Sequence, residues 1–164
     1  MNIKHVRIDN RLVHGQVVVT WLQATGADTI VVANDVIAAD DFQKTMLLAV
    51  TPPAVKRELI LSVAETLAYL ADPAHAEERI FVLVKEPADA LRLKQGGLDV
   101  KTMNVGNMAF VVGSKKVTNT VYVSSRDVEA CKALIAAGVE LTAQMMPTGP
   151  RNDFMQLLRK AKLV

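Results

Sequence analysis

At 164 residues the chain is long enough to enclose one hydrophobic core and too short to favour two. With 51% hydrophobic and 22% charged residues it is neither disordered nor fibrous, and a net charge of +2, its basic residues scattered apart from Lys115-Lys116 and the closing "RKAKLV", leaves no nucleic-acid footprint. One cysteine, Cys131 in a helix-like run, excludes an intrachain disulfide and fits a reducing cytosol. The N-terminus is too polar for a signal peptide, and no apolar run approaches the ~18 residues of a membrane span.

In chain order, short β-branched runs alternate with segments of helical period. "IKHVRI" (3–8) predicts a strand, "GQVVVTWLQATG" (15–26) a helix closed by Gly26, and "DTIVVAN" (28–34) a second strand. "ADDFQKTMLLAV" (39–50) predicts a helix with Phe42, Met46 and Leu47 at i, i+4 and i+5, ended by Pro52-Pro53. "KRELILSV" (56–63) reads as a strand, "AETLAYLA" (64–71) as a helix, and "RIFVLVK" (79–85) as an apolar strand; Pro87 opens the next helix before Gly96-Gly97. "VKTMNVG" (100–106) predicts a strand, Gly113 to Lys116 a hairpin-like turn, and 120–124 an extended run. "DVEACKALIAAG" (127–138) predicts a helix stopped by Gly138, "VELTAQMM" (139–146) a strand, and "NDFMQLLRKAK" (152–162) a last helix started by Asn152.

This alternation predicts an α/β fold: a single open, twisted, mainly parallel sheet with helices on both faces, as one domain over 1–164. Such sheets bind ligands at the carboxyl ends of their strands. The turn after the first strand, "RIDNRLVHGQV", carries unusual charge for that position. If the chain stays extended, Arg7, Asp9 and Arg11 point to one side. His14 then precedes a helix whose free N–H groups, at Gly15 and Gln16, favour an anion. Two guanidiniums suit a phosphate, and a neutral imidazole offers a nucleophilic nitrogen near neutral pH. Asp9 would fix an arginine or accept a hydrogen bond from the imidazole. The alternatives are a cap histidine and solvated arginines.

Asp35, after the second strand, and Asn104, Gly106 and Asn107, after a later one, are candidates for the same crevice. His5 and His75 read as structural or exposed, Trp21 and Met145-Met146 as core, and Lys115-Lys116 as a solvated turn. The chain has no P-loop, dinucleotide fingerprint, nucleophile elbow or zinc-ligand spacing, so no metal and no cofactor is expected.

The run Arg-x-Asp-x-Arg-Leu-x-His-Gly-Gln, with "VVANDVIAADDFQKTML", "GGLDVKTMNVGNMAF" and "VYVSS", resembles the IIB components of the mannose/sorbose class of the bacterial phosphoenolpyruvate-dependent sugar phosphotransferase system. The resemblance covers nearly the whole chain. It implies a phosphoryl carrier: His14 takes the group on Nδ1 from the phosphohistidine of a IIA protein and passes it to a sugar held by membrane IIC and IID partners. Arg11 matches an arginine that stabilises the phosphoryl group; Arg7 and Asp9 match the motif. A cytoplasmic protein held at the membrane's inner face through IIC and IID, with IIA as a separate polypeptide, is implied, and a homodimer is compatible. "GGLDVKTMNVGNM" looks closer to relatives serving amino sugars such as N-acetylgalactosamine. The competing readings are a non-catalytic phosphometabolite-binding module, using Arg7, Arg11 and the helix start after His14, and a mutase-type enzyme, for which no second histidine and arginine set is found.

Overall fold

The computed structural model describes residues 2–164. Strand β1 (Ile3–Asp9) leads into helix α1 (Gly15–Thr25), then β2 (Thr29–Ala33), the short α2 (Asp35–Ala38) and α3 (Asp41–Leu48). Next come β3 (Arg57–Leu61), α4 (Val63–Ala71), a 3-10 turn at Pro73–His75, β4 (Ile80–Val84) and α5 (Pro87–Gln95). The remainder is β5 (Thr102–Asn107), β6 (Lys115–Lys116), β7 (Tyr122–Val123), α6 (Ser125–Ala136), β8 (Glu140–Ala143), β9 (Asn152–Asp153) and α7 (Phe154–Lys160).

The strands form a seven-stranded sheet in the order β3-β2-β4-β1-β5-β8-β9, parallel except for β9, while β6 and β7 make a separate antiparallel ladder. The expected mainly parallel α/β sheet is therefore what forms. Its two faces follow from the period of two along each strand. Val31, Ala33, Val82, Val84, Val6 and Ile8 face one core, with residues from α4, α5, α6 and α7. Ile30, Val32, Phe81 and Leu83 face the other, beneath Val18, Trp21 and Leu22 of α1 and Ile37 of α2. Parallel central strands are buried on both sides, which is why β2 and β4 read as unbroken apolar runs.

Local chemistry sets the helix ends. Gly26 closes α1 in the left-handed conformation, its N–H bonded to the Leu22 carbonyl. Ser62 and Ser124 build capping boxes with Glu65 and Asp127, so α4 and α6 each begin earlier than periodicity predicts. The predicted 39–50 helix is shorter, and α2, capped by Asn34, was not foreseen. Asn152 does not start the last helix: it pairs with Ala143 in β9, and Asp153 is the cap.

Strand order also places the site. The chain leaving β1 runs to β2, beyond β4 on one side, whereas the chain leaving β5 runs on to β8 on the other. The carboxyl ends of β1 and β5 thus diverge into a crevice, the position where sheets of this kind bind ligands.

Candidate active site

Along β1, Val6 and Ile8 face the larger core, so His5, Arg7 and Asp9 face α1. On β5 the same alternation puts Asn104 and Gly106 toward α1, Asn104 opposite Arg7, while Asp9 pairs with Asn107. The strand ends at Asp9, whose Oδ1 accepts the Arg11 backbone N–H at 3.1 Å and turns the chain. Leu12 adopts φ +57°, uncommon for a side chain of that size, and Gly15 φ +40°. The turn carries His14 to the N-cap of α1, with no side chain satisfying the first N–H groups of the helix.

Asp9 is the hub. Its side chain is fully enclosed, yet it pairs with Arg7 at 3.0 Å, Arg11 at 3.1 Å and His14 Nε2 at 3.2 Å. Burial alone would raise its carboxyl; the hydrogen bonds and charges of Arg11 and Arg7 outweigh burial and hold it below the ordinary carboxylate range. Nε2 faces a carboxylate, which accepts a hydrogen and has none to donate, so in the neutral ring this contact favours the hydrogen on Nε2 and the lone pair on Nδ1. The His14 side chain is 23% exposed and that of Arg11 37%, so both can be reached from solvent. Arg11 uses Nε and Nη2 on Asp9, which leaves the N–H groups of Nη1 for a second anion.

Arg7 differs from the expectation that both guanidiniums face a phosphate. It is completely buried, bonded to Asp9, Asn104 Oδ1 and the Gln144 carbonyl, with its guanidinium 5.6 Å from the Trp21 ring centre. Burial draws its pKa down and Asp9 opposes this; it remains a cation with no face toward solvent. Asn104 and Gly106 lie in this buried layer, and Asn107 bonds Asn10 at the loop. Asp35 stands apart: its carboxylate accepts the Val63 N–H at 2.8 Å and pairs with Arg92 at 2.6 Å, joining α4 and α5 on the opposite face.

Sequence reasoning overlooked Gln144. Its carbonyl accepts from Arg7 and Asn104, and its amide ties the loop through Pro147 and Gly149. Its place near the carboxyl end of a predicted strand, where sheets of this kind bind ligands, was the available signal. Trp21 is buried as predicted and donates to the Met145 carbonyl at 3.1 Å; the Met145 sulfur lies 3.9 Å from Arg7 Nη2, so that methionine borders the network. His5 stacks on Trp21 at 4.3 Å and is pushed down to about 4, by burial first and by Arg7 second. His75 pairs with Glu78 and stacks on Tyr69. Cys131 is buried, its thiol pushed up to about 12 by burial and then Asp127, which leaves it unreactive. Among the described residues, no cluster of His, Cys, Asp and Glu is placed to hold a metal ion.

A model of the protein family described as "PTS system sorbose subfamily IIB component" matches residues 3–164. The mannose-specific EIIAB component of Escherichia coli K12 is 40% identical over 160 residues; these cover 98% of this chain and 49% of that protein, so the chain spans about half the length of its mannose-specific relatives. The N-acetylgalactosamine-specific phosphotransferase enzyme IIB component 2 of E. coli K12 is 38% identical over 96% of this chain and 99% of that one. Among solved structures, the IIBSor domain of the sorbose permease from Klebsiella pneumoniae superposes with a TM-score of 0.92 at 30% identity, covering 98% of both chains.

Proposed function

Since the chain belongs to the sorbose-subfamily IIB components of the sugar phosphotransferase system, we propose that residues 1–164 act as one IIB domain in which His14 is the phosphoryl carrier. Nδ1 of His14 attacks the phosphorus of a donor phosphohistidine on a IIA protein. The new N–P bond forms as the donor's N–P bond breaks, and the donor imidazole keeps that electron pair. In the second step a sugar hydroxyl held by IIC and IID attacks the phosphorus; the Nδ1–P bond breaks, Nδ1 keeps its electron pair as the neutral ring, and the hydroxyl proton passes to a base on the sugar-binding partners or to water.

The observation that carries this reading is the contact of His14 Nε2 with Asp9 at 3.2 Å. As Nδ1 takes the phosphoryl group the ring gains positive character, and the facing carboxylate stabilises it. Arg7 and Arg11 share the same carboxylate, which tempers that stabilisation and keeps the group transferable. The charge spread over the three equatorial oxygens in transit meets the free N–H groups of Arg11 and those of the first turn of α1, at Gly15 and Gln16. No helix among the described residues is long and apolar enough to cross a membrane; in this reading the IIC and IID partners carry the sugar across. Similarity does not favour an amino sugar: the mannose-named relative is 40% and the N-acetylgalactosamine-named one 38% identical.

The test is phosphoryl transfer from phosphoenolpyruvate through the general phosphotransferase proteins and a cognate IIA, with wild type beside His14→Ala. Acid-labile phosphate on wild type only, with a phosphorus NMR shift of the Nδ1 isomer, is expected. An active donor chain that leaves wild type unlabelled would favour the phosphometabolite-binding module, and label on His14→Ala would move the site elsewhere.

A further inference from the structure

Arg7 sits in a slot built by two residues with no contact to the reacting atoms. The register between β1 and β5 slips by one residue: Ile8 faces Val105 while Asp9 faces Asn107, so Gly106 is the additional residue on β5. The guanidinium of Arg7 lies directly over it. A methyl group at Gly106 would overlap that guanidinium, all three nearest atoms being its Cζ, Nη1 and Nη2. Asn104 closes the slot from the side: its Oδ1 accepts from Arg7 Nη1, and its Nδ2 donates at 3.1 Å to the Gln144 carbonyl that Nη1 also reaches at 3.0 Å.

We infer that Gly106 and Asn104 are positioning residues for His14: they seat Arg7, and Arg7 fixes the Asp9 carboxylate that sets the tautomer of the imidazole. The chain of contacts is continuous. Nε and Nη2 of Arg7 both donate to Oδ2 of Asp9, at 3.2 and 3.0 Å, and the same oxygen faces His14 Nε2. Rotation about the terminal bond of an aspartate is soft. Two donors on one oxygen, from a guanidinium that cannot itself move, remove that freedom. With Arg7 displaced, Oδ2 would lose two of its three guanidinium donors and keep only Nη2 of the half-exposed Arg11, whose Nε and backbone N–H stay on Oδ1. The proposal rests on the phosphoryl-carrier reading for its consequence, though not for its geometry.

The experiment is long-range proton–nitrogen NMR of histidine-labelled, unphosphorylated protein above the imidazole titration, comparing wild type, Gly106→Ala and Asn104→Ala. Wild type should show His14 protonated at Nε2 alone. Both variants should show averaged ring-nitrogen shifts, a mixture of tautomers, and a phosphoryl-acceptance rate lower by about 10- to 100-fold, taking as a guide the loss seen when a metal-bound histidine loses its supporting hydrogen bond. In an Arg7→Lys background, where a slender ammonium leaves room over residue 106, Gly106→Ala should add little. A folded Gly106→Ala or Asn104→Ala that keeps the single Nε2–H tautomer overturns the proposal. If Gly106→Ala does not fold, Asn104→Ala, which introduces no overlap, decides it. Because the tautomer is read without phosphate, a protein that never accepts phosphate can still pass this test, and a working carrier can still fail it.

Discussion

A carboxylate offers roughly four good acceptor positions, and Asp9 receives six donor contacts from Arg7, Arg11 and His14. That crowding divides the motif into a buried half and an exposed half. Arg7 neutralises the carboxylate from inside the sheet and Arg11 from the solvent side, and His14 keeps one nitrogen free. The residue types and their order support the phosphate reading proposed for this turn, but strict alternation places Arg7, Asp9 and Arg11 in one row. It holds for Arg7 and Asp9, which share β1, and fails at Arg11, which returns to Asp9 through the turn. The burial of Arg7 leaves no local trace, because its partners lie 97 and 137 positions away. His5 belongs to this scale as well. Its folded value of about 4 lies below the ordinary 6.5, so on acidification the unfolded chain takes up a proton that the folded chain refuses. Stability is unaffected above pH ~6.5 and falls as pH drops from there toward 4, by roughly 3 kcal/mol at most. His5→Phe should flatten this part of a urea-denaturation pH profile; an unchanged slope would assign it to another group.

At the scale of elements, composition and caps carry most of the information. Gly26 and Gly138 mark helix ends as expected, the latter at φ +81° just past α6. The boundaries that move do so because a side chain captures the chain locally, as Ser62, Ser124 and Asp153 do at their caps. The α3 helix shows where periodicity misleads. Its spacing predicts a buried apolar face, yet none of its residues is buried; Phe42 is 74% and Met46 56% exposed, and Leu47 alone packs against the α1-side core. Val18, Trp21 and Leu22 of α1 and Ile37 already occupy that face. Phe42→Ser is therefore expected to change stability by no more than about 0.5 kcal/mol, whereas Ser124→Ala should cost about 1 kcal/mol by removing a cap. Urea denaturation of the two variants checks this, and a larger loss for Phe42→Ser would mean that α3 is covered in solution.

At the scale of the whole molecule, stability and site placement share one cause, the position of β1 and β4 at the middle of the sheet. All five β4 residues are buried, and Phe81 packs beneath α1 while its neighbours face the larger core. Phe81→Ala should cost about 3–5 kcal/mol, measured by urea denaturation; a loss below about 1 kcal/mol would contradict close packing on that face. The sequence by itself determined the alternation of strands and helices, hence the α/β class, and the arginine, aspartate and histidine chemistry at the first turn. These are encoded over a few residues, in the periods of two and 3.6 and in turn chemistry. Only the tertiary structure decided that β5 lies beside β1 and β8 beyond it, and therefore that Asn104, Gly106 and Gln144 enclose Arg7 while Arg11 stays at the surface. Strand order arises from packing both faces of the sheet at once, and contacts between residues about a hundred positions apart have no periodic signature along the chain.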